Sequence, residues 1–261
     1  MTPTEIDPEA GFRVDLFDER ATITLNRPER LNSQTPAMWS ELVRVRHELP
    51  ATVRVVVIRG EGRAFSAGLD RSLFTGGVSD GILSLPQLPQ AEATERIAQW
   101  QAGFDWSSRP DVVTIAAVQG HAIGGGFQLA LGADLRIAAA DALFTMAEPT
   151  LGIVPDLGGT KRLVDLVGYS RAVDICLTGR RVDAEEALRI GLVSRVVPVG
   201  ELDAAVEQTV GSMLAINRDA AAETKALLQR AHASSQADQQ AAERDAQYRR
   251  LRALAGLVAE D

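Results

Sequence analysis

The chain has 261 residues, 46% of them hydrophobic, and a formal net charge of −8. That length supports one large domain or one domain with an appendage, and the acidic balance argues against nucleic acid or an anionic membrane as the main partner. Cys176 stands alone, so no internal disulfide is possible; His47, His121 and His232 are too scattered to suggest a metal; and without a basic-then-apolar leader or an apolar run of spanning length, a soluble cytoplasmic protein is expected.

Phe12–Phe17 and Ala21–Asn26 alternate around Asp18-Glu19-Arg20 and predict a hairpin, which Asn26-Arg27-Pro28 ends. Thr35-Pro36 is a helix start, and Met38–Leu49 carries apolar residues at helical spacing. Val53–Ile58 is a continuous β-branched run, the mark of a strand buried on both faces. A Gly-rich loop, Arg59–Asp70, and an irregular stretch, Leu73–Pro89, lead to a helix over Ala91–Asp105. Val112–Leu129 then reads as a buried strand, a turn, and three glycines, Gly124, Gly125 and Gly126, opening directly into a helical run from Phe127. Asp134–Ala139 and Val193–Val197 read as strands, and Thr160–Val167, Ser170–Leu177 and Ala184–Ile190 as short helices. Beyond about residue 200 the chain is Ala-, Gln- and Arg-rich, predicting two or three helices in a separate layer that packs on the core or on a neighbouring subunit. Strands alternating with helices imply an α/β fold with mostly parallel pairing.

Three elements fall at the ends of buried strands, where ligands of open α/β sheets sit: the loop Phe65–Asp70, the glycine turn, and Glu148 within Phe144–Gly152. Glycine removes the Cβ that keeps other molecules off the main chain, and the first N–H groups of a helix are unpaired and favour an anion. Two such turns meeting would aim two backbone donors at one carbonyl oxygen, and each donor of an oxyanion hole is worth roughly 3–4 kcal/mol of barrier. Glu148 lies among apolar neighbours, and burial should raise its pKa and suit it to moving a proton. The plainer readings are a structural turn for the glycines, an Arg-paired loop acid for Glu148, and a turn residue after Pro155 for Asp156. A dinucleotide fingerprint or phosphate loop is disfavoured, since neither the GxGxxG spacing nor a following GK[ST] is present. Trp100, Phe104 and Trp106 fit an acyl pocket or a core stripe equally, Cys176 fits the core, and His121 fits a local backbone contact.

The segments Leu25-Asn26-Arg27-Pro28…Leu31-Asn32, Ala64–Asp70, Gly120–Gly126, Glu148…Leu151–Pro155…Gly158-Gly159-Thr160…Arg162-Leu163 and Leu177–Arg180…Gly191–Val193 resemble, in order, the enoyl-CoA hydratase/isomerase (crotonase) family. The likeness runs from about residue 12 to about residue 200. It implies a crotonase-like α/β spiral of ββα units over residues 1–200. The helical region over 201–261 would then serve oligomerisation and pocket cover. It implies a homotrimer or dimer of trimers acting on acyl-CoA, with coenzyme A carried by the substrate and no other cofactor. By position, the N–H groups of Leu69 and Gly125 would hold the thioester oxygen and stabilise an enolate. The backbone of Ser66, Ala67 and Gly68 would border the adenine, with Asp70 and Gly124 beside the ligand. Arg27 and Arg30 fit either the phosphates or a solvated loop.

Two departures qualify this. Family hydratases pair Glu148 with a second glutamate two residues after the glycines; here that position is Gln128, which can hold a water but cannot take its proton. Asp156 stands where some dienoyl-CoA isomerases and a dehalogenase of the family carry a functional aspartate. Double-bond isomerisation is therefore favoured over efficient hydration, with a non-catalytic acyl-CoA-binding protein or thioester hydrolysis as alternatives. The second departure is expected at the C-terminus: the family usually closes with a basic, aromatic stretch that helps cover the CoA, and Ala259-Glu260-Asp261 does not resemble it.

Overall fold

The structure, a computed structural model, describes residues 6–75 and 82–257. Strands β1 (Phe12–Phe17) and β2 (Arg20–Leu25) form the hairpin, with Phe12 opposite Leu25 and Asp18 turning at a φ of 51°. From β2 the sheet continues in parallel through β3 (Val55–Gly60), β4 (Val113–Val118), β6 (Leu135–Ala139) and β9 (Arg195–Val197). A second sheet joins β5 (His121–Ile123), β7 (Leu143–Thr145) and β8 (Val182–Asp183). The helices are α1 (Pro36–Glu48), α2 (Ser72–Thr75), α3 (Gln90–Ala102), α4 (Gly125–Gly132), α5 (Gly159–Val167), α6 (Tyr169–Thr178), α7 (Ala184–Arg189), α8 (Leu202–Leu214), α9 (Arg218–Ala231) and α10 (Gln236–Leu254). Among the described residues, no helix is long and apolar enough to cross a membrane.

The mostly parallel α/β pattern read from the sequence is the one observed, with local shifts. The strand expected from Val53 begins at Val55, because the Val53 N–H is held in a turn by the Pro50 carbonyl at 2.9 Å. The run expected as one strand and a turn divides at Gly120, whose φ of +54° redirects the chain from β4 in one sheet to β5 in the other. Strands β5 and β7 have three residues each, too few for a period to show in the sequence. The irregular stretch expected at 73–89 lies partly outside the described residues; of the rest, Ile82–Gln87 forms a 3-10 turn. The terminal Ala259-Glu260-Asp261 also lies outside them.

One face of the large sheet packs on α1 through Met38, Trp39, Leu42 and Val45. The other face is closed by α8, whose Leu202, Ala205, Val206 and Val210 meet Val55, Val57, Ile115 and Ile137. Burying Leu202, Val206 and Val210 stabilises the fold by roughly 1.5–3 kcal/mol each. The helical layer expected from residue 201 thus begins with a helix that completes the core. Helices α9 and α10 lie outside it, each with one buried residue, Lys225 and Ala246. Lys225 anchors α9 by donating to Asp134 Oδ2 at 2.7 Å, and α10 is held to α9 by Arg249–Glu223 and Arg250–Asp219 ion pairs of 2.7 and 2.8 Å.

Candidate active site

After β3, the loop returns to run beside β5. Ser66 pairs in parallel with Ala122, its N–H donating to the His121 carbonyl and its carbonyl accepting from Ile123, both at 2.9 Å. On its other edge the loop pairs with Gln34, whose N–H donates to Gly68 O at 2.7 Å and whose carbonyl accepts from Asp70 N at 2.8 Å. Main-chain groups of an extended segment point alternately to either side, so the Leu69 N–H faces away from Gln34 and toward the chain running from β5 into α4. Gly68, at φ +77°, permits this approach: a Cβ there would lie 2.3 Å from the Ile123 carbonyl oxygen and 3.2 Å from the Gly125 nitrogen. Gly125 opens α4, so its N–H has no partner within the helix. Neither the Leu69 nor the Gly125 N–H donates to another described residue. Two unpaired main-chain donors from two loops thus share one junction.

Glu148 begins a 3-10 turn just past β7 and is 6% exposed. The left-handed φ of Gly124, +52°, brings the glycine turn against it; a Cβ on Gly124 would sit 3.1 Å from Glu148 Oε1. That oxygen accepts from Gln128 Nε2 at 2.7 Å, while Oε2 is buried with no partner. Burial pushes the Glu148 carboxyl above its ordinary pKa; the charge of Asp156 adds to this, and the Gln128 hydrogen bond opposes it. Asp156 is half-buried, and burial raises its pKa as well. Its main-chain carbonyl accepts from Gln101 Nε2 at 2.6 Å, and its carboxylate has no ion pair among the described residues. The structure therefore brings Glu148, Gln128, Asp156 and the glycine turn together.

Gln128 stands beside Glu148, and its hydrogen bonds are made within the protein. Its carboxamide is buried, and its Oε1 accepts from Leu157 N at 2.9 Å and Gly159 N at 3.2 Å. With Nε2 on Glu148, the side chain ties the acid to the turn ahead of α5 and leaves its oxygen no lone pair for a water.

Asp70 is likewise engaged within the protein. Its Oδ2 accepts from Arg27 at 3.0 Å, Arg30 at 3.3 Å and Ser33 Oγ at 3.2 Å; Oδ1 accepts from the Ser72 N–H at 3.1 Å and hydroxyl at 2.8 Å. Burial alone would raise its pKa, but the donors of Ser72, Arg27 and Ser33 outweigh it and hold the carboxyl down to about 2. Arg27 and Arg30 are accordingly paired with Asp70. Ser66 Oγ donates to Asn32 O at 2.7 Å and accepts from Gly68 N at 3.2 Å, and Ala67 N donates to Leu31 O at 2.8 Å, so this stretch fixes the loop's path. Trp100 and Phe104 pack edge-on against Trp39, and Trp106 is fully buried, which makes all three core residues. Cys176 is half-buried against that core. Gln101 was not singled out from the sequence; a Gln within a predicted helix carries no signal that separates it from a solvated residue.

A family model described as enoyl-CoA hydratase/isomerase matches residues 19–254. A Mycobacterium bovis protein assigned as an enoyl-CoA hydratase is 37% identical over 215 residues, 82% of this chain and 79% of that protein. A mitochondrial Δ(3,5)-Δ(2,4)-dienoyl-CoA isomerase of Dictyostelium discoideum is 32% identical over 184 residues, 68% of this chain and 61% of the other. Among solved structures, a Thermobifida fusca protein assigned as an enoyl-CoA hydratase, in complex with acetoacetyl-CoA, superposes with a TM-score of 0.89 at 48% identity, covering 93% of this chain and 95% of that one.

Proposed function

Because the chain belongs to the enoyl-CoA hydratase/isomerase family, with its crotonase fold, we propose that it processes an acyl-CoA through a thioester enolate and moves a double bond along the acyl chain. The Leu69 and Gly125 N–H groups receive the thioester oxygen and stabilise the negative charge that develops there. Glu148, ionised and beside that oxygen, takes a proton from carbon 2 of a 3-enoyl-CoA. The electron pair moves into the thioester carbonyl, and the dienolate is reprotonated at carbon 4 by Glu148 or Asp156, giving the 2-enoyl-CoA. A carboxyl with a raised pKa is suited to this exchange, since it both takes and returns a proton near neutral pH. Coenzyme A arrives with the substrate and no other cofactor is invoked.

The observation that carries this reading is a buried carboxyl with one unpartnered oxygen, packed against a glycine turn whose first helical N–H is also unpaired. The preference for isomerisation rests on Gln128. Addition of water needs a second group to deprotonate it, and the Gln128 carboxamide is an amide whose oxygen is already filled by two main-chain donors. The same feature favours a second reading, a non-catalytic acyl-CoA-binding protein. Assays with crotonyl-CoA and with a 3-enoyl-CoA, with products identified by mass, separate these. Conversion of the 3-enoyl-CoA with slow hydration of crotonyl-CoA is the expected result. Fast hydration overturns the isomerase preference, released free CoA points to thioester hydrolysis, and calorimetric binding of CoA without turnover supports the second reading.

A further inference from the structure

The turn that carries Asp156 faces open space on its α3 side. A cavity of about 360 Å³ lies there, lined in part by Ala98, Gln101, Ala102, Gln128, Leu157 and Arg162. The chain just beyond is free to turn: Gly158 has a φ of +85°, and a Cβ on it would meet nothing within 4 Å. Hydrogen bonds hold this turn where packing does not. Gln101 Nε2 donates to the Asp156 carbonyl at 2.6 Å, and the Leu157 N–H donates to Gln128 Oε1 at 2.9 Å. A carbonyl oxygen only accepts, so the NH2 of Gln101 is the end that faces it.

These two bonds grip one unit. The Asp156 carbonyl and the Leu157 N–H are the two ends of a single planar peptide. With its oxygen held by Gln101 and its N–H by Gln128, that plane cannot swing about the Cα–Cα axis, and the torsion that aims the Asp156 side chain is fixed. Gln128 also holds Glu148 Oε1 at 2.7 Å, so the spacing of the two acids is set through this peptide. The Asp156 carboxylate has no ion pair among the described residues, and its placement depends on its main chain. Gln101 reaches the turn from an anchored helix end, since Trp100 and Phe104 beside it pack edge-on against Trp39. Arg162 Nη2, 3.4 Å from Asp105 Oδ1, is a second and looser tie beside the same cavity.

We propose that Gln101 is a positioning residue: by holding the Asp156–Leu157 peptide against Gln128, it places the Asp156 carboxyl so that Glu148 takes the proton from carbon 2 and Asp156 delivers a different one to carbon 4. This rests on the isomerase reading above. The carbon 2 C–H bond breaks and its proton goes to Glu148. The double bond moves from carbons 3 and 4 to carbons 2 and 3, and the new C–H bond at carbon 4 takes its proton from the Asp156 carboxyl. Exchange with water returns both acids to their starting states. Without Gln101 the peptide swings and Asp156 leaves its place, so Glu148 has to return the proton it took; a shift of about 1 Å in a reacting group costs up to roughly 10²-fold in rate.

Conversion of a 3-enoyl-CoA carrying deuterium at both carbon 2 positions, run in ordinary water with the whole protein and with Gln101→Leu and Gln101→Glu, tests it. Both substitutions remove the donor, and because Gln101 is exposed both variants should melt with wild type. Wild type should lose the abstracted deuterium to water and place protium at carbon 4. In each variant kcat should fall roughly 3- to 10-fold with KM little changed, and deuterium should appear at carbon 4, carried there by Glu148 alone. Asp156→Asn should show the same label transfer, and adding Gln101→Leu to it should cost nothing more. A variant with the rate and label of wild type overturns the role of Gln101. So does one with slower turnover and an unchanged label, which marks a merely structural contact. Deuterium at carbon 4 in wild type also overturns it, while the enolate chemistry stands. No conversion by wild type removes the isomerase reading and the role of Gln101 with it. Should one Gln101 variant not fold, the other decides.

Discussion

Two buried carboxylates, Asp70 within the loop from residue 66 to residue 72 and Glu148 against the glycine turn, differ in what surrounds them. Asp70 is met by five donors on both oxygens and is held to a pKa of about 2. Glu148 has one donor on one oxygen, none on the other, and a raised pKa. Both lie in little-exposed surroundings, so burial alone does not set their character. Saturated with donors, a buried carboxylate is a permanent charge that organises a loop; left unsaturated, it is ready to bind a proton. The first arrangement stabilises the fold, and the second, with a buried oxygen left unpaired, lowers stability.

The largest effect that sharpens this contrast is expected at Glu148. Glu148→Gln should reduce turnover by roughly 10²–10⁴. Its stability should move the other way. A carboxyl whose folded pKa is raised binds its proton more tightly in the folded state, so its contribution is present at low pH and lost as pH rises through the folded value. The variant should therefore be more stable than wild type at pH 8, with the gap closing toward pH 4. Urea unfolding at both pH values measures this, and equal stability at pH 8 would break the contrast.

Next comes Gln128→Leu, which strips the one donor from Glu148 and leaves the Leu157 and Gly159 N–H groups unpaired. A loss of about 3 kcal/mol is expected. Because that hydrogen bond lowers the Glu148 pKa, the acid limb of the pH–rate profile should move to higher pH in the variant. A profile that stays in place would mean that Gln128 does not position or tune the acid.

The smallest effect is expected for Asp70→Asn. The carboxyl is held from its ordinary 3.8 to about 2, a difference worth roughly 2 kcal/mol at pH 7. A depressed folded pKa contributes stability that is present above the unfolded value and lost as pH falls through the folded one. The variant should be less stable than wild type at pH 7, with the difference vanishing between about pH 4 and pH 2. The two acid-to-amide changes should thus shift stability at neutral pH in opposite directions.

Much of the framework around these two acids is legible in the sequence. The β-branched run ending at Ile58, the glycine turn at 124–126 and the acid at 148 each carry a local signal: a buried strand, a turn stripped of Cβ atoms and a carboxylate among apolar residues. What was not legible is which polar groups satisfy one another. Gln128 was read as a residue open to water, and Asp70, Arg27 and Arg30 as possible ligand contacts, because sequence position does not say where a side chain's hydrogen bonds go. Arg27 and Asp70 stand 43 positions apart and Gln128 and Glu148 stand 20 apart, and only the packing of β5, α4 and the 66–72 loop brings them within 3.0 and 2.7 Å. The three-residue strands β5 and β7 escaped for a related reason, since pairing, not period, makes them strands.

The amino-acid sequence by itself determined the α/β alternation, the glycine-lined turn and the presence of an acid close to it, because strand burial, the absence of Cβ atoms and hydrophobic surroundings are written in neighbouring residues. The tertiary structure alone decided that Asp70 is saturated and that Gln128 is a tether. Hydrogen-bond saturation depends on groups far apart in the chain that meet only when the two sheets and α4 close on one another.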